Sequence, residues 1–329
     1  MAEGGSDQNR QYSHSLQGLL QMAVAAGTTA PEASGTMQQM SEEQKKWLQE
    51  AIADAFKGQL DEIQQIKASL EILKKDTETV EEDEEDEEKA NALDLISDLC
   101  ENLDNASDFC KLDGMRLIVE RYLDCPESEL RWRAAHLVGT CSQNNPSVQE
   151  HVLSLETMTR LINLLDQDAC ELVRIKALFA ISCLVREQES GLRKFLDQDG
   201  FSVLMRAMQS SISKLKVKAA FLLQNILISH PEQKEVLCSM GMVQQLVALL
   251  RTEHESFHEH VLGALCSLVA DFPRGMAECQ EPELGLEKLL SERKELLKNQ
   301  EEFQEELNFC EELFQICFCG HQDDGFMDR

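Results

Sequence analysis

An all-α, right-handed solenoid of helical repeats is the fold class this sequence predicts, and three observations carry it. The first is a helical template: Ala177, Ile181 and Leu184 stand at i, i+4 and i+7, which puts them on one helix face. The second is recurrence. The template returns at Ala92/Ile96/Leu99, Ala134/Val138/Cys141, Ala219/Leu223/Ile226, Val261/Leu265/Leu268 and Phe303/Leu307/Cys310, with first positions 42 or 43 residues apart. The third is composition. Hydrophobic residues at 43% can fill a core, while 5% aromatics, 16 Gly and 6 Pro in 329 residues argue against a β sandwich or barrel.

Taken in order, residues 1–38 read as a largely disordered tail rich in Gly, Ser, Gln and Ala. One short amphipathic helix is expected there over 16–26, where Leu16, Leu19 and Leu20 follow helical spacing and Gly27 ends the run. It either docks on its own domain or binds a partner as a linear element. Residues 39–75 predict an N-terminal helical cap. Ser41 and Gln44 form a capping box, Trp47, Leu48, Ala51, Ile52, Ala55 and Phe56 a first stripe, and Leu60, Ile63, Ile66, Leu70 and Leu73 a second. A solenoid needs such a cap to cover its first repeat. The stretch 76–88 contains the unbroken acidic run Glu81–Glu88 and reads as a solvated, self-repelling linker rather than a metal site.

Repeats are expected over 89–282. Each anchored helix is preceded by a second helical segment, often opened by glycine, as at Gly114, Gly200, Gly241 and Gly285, with Glu156 in that place in one unit. A shorter segment precedes each of those, for example Pro231–Cys238. Three helices in about 42 residues is the armadillo layout. The more acidic stretch 283–319 reads as a C-terminal capping repeat, and 320–329 as a disordered tail.

A formal net charge of −29 makes nucleic acid and anionic membrane surfaces poor partners. No apolar run approaches a membrane span, and no basic-then-apolar leader precedes the twelve scattered cysteines. The expectation is a cytosolic protein with reduced thiols. Asn105-Ala-Ser107 matches a glycosylation acceptor, which means little in that compartment.

Counting from each anchor at about 100° per residue, positions −1, +2 and +6 share a face distinct from the core face. In an armadillo stack that face lines the concave groove. Position −1 reads Asn91, Arg133, Lys176, Lys218 and His260, position +2 includes His136, Phe179 and Phe221, and position +6 includes Asn225. Position −3 adds a flanking basic row: Arg131, Arg174, Lys216 and His258. A row of cations beside aromatic area, in so acidic a chain, predicts a protein-binding surface. The plainer alternative is a solvated face whose charges are met by neighbouring carboxylates.

Catalytic chemistry is not signalled. No phosphate-cradling glycine loop, paired zinc-ligand motif or nucleophile elbow occurs, so neither an enzyme nor a cofactor nor a metal is expected. His254, His258 and His260 cluster in sequence but are expected to face apart, and Cys317, Cys319 and His321 are weak evidence for zinc.

Several stretches are specific enough to carry a resemblance: Leu16-Gln-Gly-Leu-Leu-Gln-Met-Ala, Leu130-Arg-Trp-Arg-Ala-Ala, Val173 through Glu187, Lys214-Leu-Lys-Val-Lys, and Cys238-Ser-Met-Gly-Met-Val-Gln-Gln-Leu-Val. They closely resemble the heat-shock-protein-binding-protein family, armadillo-repeat nucleotide exchange factors of the cytosolic 70-kDa heat-shock chaperone. The family's Gly-rich N-terminal region is shorter and less repetitive here. The resemblance implies a co-chaperone, monomeric and one-to-one with its partner, whose solenoid embraces one lobe of the chaperone's ATPase domain, opens the nucleotide cleft and promotes ADP release. It implies that Arg133, Lys176, Lys218 and His260 face acidic surface on that lobe, with Phe179, Phe221 and Asn225 packing between them. Leu16–Val24 would act near the chaperone's substrate-binding part. The alternative readings are an armadillo scaffold or adaptor without exchange activity, for example an inhibitor of a ubiquitin ligase, and a receptor for basic peptides. The second is disfavoured because the groove row is itself basic.

Overall fold

The computed structural model describes residues 58, 60–75, 82–186 and 188–319. The short helix expected at 16–26, the first cap stripe and the tail 320–329 lie outside them. The chain divides into two units, Met1–Thr77 and Glu78–Arg329. In the first, α1 (60–74) buries Ile66, Leu70 and Leu73, one helical stripe, while Leu60 is 60% exposed and so lies outside the predicted core.

The second unit opens on α2 (Glu82–Leu99). Residues 82–88, expected as linker, are its first two turns. Glutamate is a good helix former, and carboxylates at an N-terminus complement the helix dipole. Lys89 pairs with Glu85 one turn back, which relieves part of the repulsion.

Five three-helix units follow. They are α3 (Leu103–Lys111), α4 (Gly114–Leu117, continued by a π turn at Ile118–Tyr122) and α5 (Ser128–Ser142); α6 (Pro146–Ser154), α7 (Thr157–Gln167) and α8 (Glu171–Val185); α9 (Glu189–Leu196), α10 (Gly200–Met208) and α11 (Ser213–Ser229); α12 (Lys234–Ser239), α13 (Met242–Leu250) and α14 (His258–Val269); and α15 (Pro273–Cys279), α16 (Leu286–Leu297) and α17 (Gln304–Phe318). The last helix of each unit packs on the last helix of the next, so α2, α5, α8, α11, α14 and α17 form one continuous ladder. The template positions from Ala134 to Leu268 are all buried along it.

The final unit departs from the template. Its core face is Glu306, Cys310, Leu313 and Cys317; Phe303 and Leu307 are only half-buried. Hydrophobic spacing skipped Glu306 because a carboxylate is not read as core. It is admitted because Arg293 and His254 bond it there.

The glycines opening the second helices serve two purposes. The residue before that helix is left-handed in every unit: Asp113, Glu156, Asp199, Gly241 and Gly285, with φ from 52° to 71°. Gly114 and Gly200 come one residue later and make room for a ring instead. A Cβ there would meet Phe109 at 2.2 Å and Phe195 at 2.4 Å. Since a non-glycine residue in this conformation costs on the order of 1 kcal/mol, Glu156→Gly is expected to raise stability by up to about that amount, read as a higher urea midpoint.

Asn105, in the glycosylation-like triplet, is buried, and its side-chain amide donates to the Leu99 carbonyl at 2.9 Å. All twelve cysteines are free thiols.

Candidate partner-binding groove

The ladder helices present two basic rows, and they do different work. The row at position −3 is taken up by bonds within the solenoid. Arg131 bonds Asp168 through Nε at 2.9 Å, and Lys216 bonds Glu255 at 2.7 Å. Both carboxylates lie in the connection between second and third helix of the following unit. Arg174 donates to the Leu165 carbonyl at 2.8 Å. His258 is fully buried, with Nε2 3.1 Å from the Leu249 carbonyl and Nδ1 3.1 Å from the Arg293 guanidinium. Of the four residues expected to flank a binding surface, Arg131, Lys216 and His258 are therefore struts that fix one unit on the next, while Arg174 ties the third helix of its unit to the second. Charge and spacing alone do not distinguish a strut from a free cation; the partner carboxylates stand 37 and 39 residues away.

His258 and His260 face apart as expected, but the expectation fails for His254 and His258. His254, His258 and Glu306 bring ligand atoms within 4.8 Å of one another. Arg293 already bonds both His258 and Glu306, so a cation there would meet a fixed guanidinium. Burial, then the Arg293 charge and His254, push the His258 pKa down to about 4. The imidazole is thus neutral when folded, and the unfolded chain binds the extra proton. Its contribution is complete above the ordinary value near 6.5 and is lost as pH falls from there to about 4, about 3 kcal/mol in total. Comparison of the wild type with His258→Gln by urea denaturation across that window checks it: the variant's slope should be flatter.

The row at position −1 faces outward, but unevenly. Arg133 bonds Asp94 of the preceding ladder helix at 2.9 Å and Glu129 at 2.7 Å, and stacks on Trp132 at 4.1 Å. Its charge is met within the chain. His260 and His136 are both held below the usual histidine range by burial, so they present neutral rings. His136 lies 5.5 Å from Phe179, and His260 5.4 Å from Phe221.

Lys176 and Lys218 differ from these. Among the described residues neither forms an ion pair. The Lys176 ammonium sits 5.8 Å from the Trp132 ring, its pKa lowered first by burial and then by Lys218. Between the second and third units a cavity of about 380 Å³ opens beside Lys218, lined by Phe179, Phe221, Lys218, Asn225, Arg186 and Gln149 among others. Phe221 is 44% exposed, and Asn225 is held by a bond from its amide to the Phe221 carbonyl. Phe179 is seated against Gly139 of α5, where a Cβ would fall 2.5 Å from its ring.

The structure thus brings Lys176, Phe179, Lys218, Phe221 and Asn225 together and leaves Arg133, His136 and His260 as their half-buried supports. Sequence spacing missed Arg186, at the C-cap of α8 and without an ion pair among the described residues, and Gln149, whose amide bonds the Cys183 carbonyl at 2.8 Å. Arg186 lies beyond the template's last position, and Gln149 belongs to a first helix, so a search of third-helix faces could not reach either.

A ladder of stacked third helices presenting aromatic rings and unneutralised cations defines an armadillo-repeat binding protein. Solved structures agree on the fold. A designed armadillo repeat protein in complex with the peptide (KR)4 matches with TM-score 0.62 at 19% identity, covering 76% of this chain and 99% of that one. Computationally designed armadillo repeat proteins for modular peptide recognition match with TM-score 0.63 at 17% identity, over 76% and 99%.

The chain belongs to the Hsp70-binding protein 1 family. It is 60% identical to Hsp70-binding protein 1 of Homo sapiens over 318 residues, 95% of this chain and 88% of that relative. It is 32% identical to the Hsp70 nucleotide exchange factor FES1 of Mycosarcoma maydis over 144 residues, 44% of this chain and 36% of the relative. The family model of the SIL1/FES1/HPBP1 C-terminal domain matches residues 105–211, that of nucleotide exchange factor Fes1 residues 16–109, and that of the armadillo/beta-catenin-like repeat residues 230–270.

Proposed function

We propose that this chain is a co-chaperone that binds the ATPase domain of Hsp70 and promotes exchange of its nucleotide. The observation that carries the reading is two ammonium groups that form no ion pair among the described residues, Lys218 in the wall of an aromatic-lined cavity and Lys176 near enough to feel its charge, in a chain of net charge −29. Such a surface selects an acidic protein face with an apolar centre, and family membership supplies a candidate for it. Phe179 and Phe221 would supply desolvated contact area, with Lys176, Lys218 and Arg186 as the charges that fix orientation. Arg133, His136 and His260 would shape the groove's ends.

Exchange needs no catalytic side chain, and on this reading the chain is not an enzyme and needs no cofactor. A rigid solenoid that fits an open lobe arrangement better than a closed one shifts the population toward the open state, from which ADP leaves. One chain acts on one chaperone, in the cytosol. Leu16, Leu19 and Leu20 serve as an accessory element near the chaperone's substrate-binding part.

The test is release of a fluorescent ADP analogue from the isolated Hsp70 ATPase domain on addition of the full chain. Acceleration of at least tenfold is expected. Tight binding without acceleration would turn the assignment to a scaffold or adaptor, and absence of binding would remove it.

A further inference from the structure

We infer that the cavity between the second and third units is a socket for one acidic side chain of the partner, an aspartate or glutamate carried beside an apolar residue. The inference rests on the reading of the groove as the Hsp70-binding surface, and names what the partner must present to it.

Three segments enclose the cavity. The turn after α5 contributes the left-handed Asn144 (φ 54°), α8 contributes Phe179 and Ser182, and α11 contributes Lys218, Phe221 and Asn225. Its thirteen lining residues include two cations, Lys218 and Arg186, and no carboxylate, in a chain with 60 Asp and Glu against 31 Lys and Arg. Neither cation forms an ion pair among the described residues. A wall cleared of acid and holding two uncommitted cations suits an anionic group from outside the chain.

The other polar groups of the wall are already oriented by the fold. Gln149, 5% exposed, gives an amide N–H to the Cys183 carbonyl at 2.8 Å. Asn225 gives one to the Phe221 carbonyl at 2.8 Å, and the Ser182 hydroxyl donates to the Phe179 carbonyl at 2.7 Å. The guanidinium and the ammonium are the strong donors that remain. Both charges also reach the Cys183 thiol in the wall, where they oppose the burial that pushes it up to about 11. They therefore act on one region of the cavity.

Size and apolar lining narrow the occupant. A cavity of about 380 Å³ exceeds what a carboxylate alone fills and sits near the lower end of the roughly 300–1,000 Å³ typical of ligand pockets. A free inorganic anion would meet the cations and leave the rings of Phe179 and Phe221 uncovered. An acidic side chain with an apolar neighbour covers both. Arg186 belongs to the second unit and Lys218 to the third, so a carboxylate bonded to both ties one unit to the next.

The experiment titrates the Hsp70 ATPase domain with the full chain by calorimetry, as wild type, Ser182→Phe, Arg186→Gln and the two together. Ser182→Phe adds a ring to the cavity wall and keeps every charge, and the hydroxyl it removes bonds only within its own helix. Each single change is expected to weaken binding by about tenfold or more. The double variant should lose no more than the weaker-binding single one, because both changes act on one occupant. Arg186 is exposed at a helix end, so Arg186→Gln carries the test even if Ser182→Phe does not fold. Wild-type affinity in Arg186→Gln, with K176E/K218E still weakened, would overturn the socket and leave the groove reading standing. Losses that simply add would overturn the single shared occupant. Wild-type affinity in all of these variants, K176E/K218E included, would overturn the socket and the groove together.

Discussion

Reversing the charge of Lys176 and Lys218 together, as K176E/K218E, is expected to weaken binding to the Hsp70 ATPase domain by about a hundredfold or more. Like charges forced together across an interface cost several kcal/mol, and about 1.4 kcal/mol is a factor of ten. Among the described residues neither ammonium group forms an ion pair, so their replacement leaves no buried acid uncompensated, and helicity by circular dichroism should be unchanged. The matched control is Lys216→Glu with its strut partner Glu255 in mind: it should lower stability rather than affinity, because Lys216 already bonds Glu255 at 2.7 Å. Titration calorimetry and thermal denaturation on the same samples separate the two. If K176E/K218E binds as the wild type does, the groove is not the binding surface.

Removing one guanidinium from the last unit should be the most damaging single change to the fold. Arg293 is 8% exposed and bonds the fully buried Glu306, the His258 ring and the Leu250 carbonyl, the last at 2.7 Å. Arg293→Ala strands the Glu306 carboxylate in the core, and breaking a buried pair in this way costs about 3–5 kcal/mol. His254, 2.8 Å from Glu306, remains as a hydrogen-bond partner and recovers only part of that. Arg293→Met with Glu306→Leu removes both charges and should sit much nearer the wild type. Because neighbouring units stabilise one another in a solenoid, hydrogen exchange should show the single variant's loss concentrated in α16 and α17. A cost under about 1 kcal/mol for Arg293→Ala would mean that the cluster does not hold the C-terminal unit.

The repeat and its register were legible in sequence because the ladder helices bury small and branched apolar residues at one fixed spacing. That pattern needs no knowledge of partners. It failed where polar chemistry replaces apolar packing. Glu306 occupies a core position through Arg293, and residues 82–88 are helical despite their like charges. The groove was legible in part. Lys176, Phe179, Lys218, Phe221 and Asn225 emerge from a face count, whereas Arg131, Lys216 and His258 have the right residue types and the wrong surroundings. What separates them is a carboxylate or a guanidinium from another unit, and that proximity exists only once the helices are stacked. The left-handed positions were half visible: Gly241 and Gly285 announce them, while Asp113, Glu156 and Asp199 adopt the same backbone without the residue that signals it.

The central claim is that the chain speeds exchange by preferring the open state of the chaperone, and linkage makes it quantitative. Whatever factor the chain imposes on the ATPase domain's affinity for ADP, ADP must impose on the domain's affinity for the chain. The direct measurement is titration of the ATPase domain with the full chain in the absence of nucleotide and at saturating ADP, beside titration of ADP with and without the chain. The account predicts weaker binding in ADP, by the same factor in both directions. Binding that is tight and indifferent to ADP would contradict it.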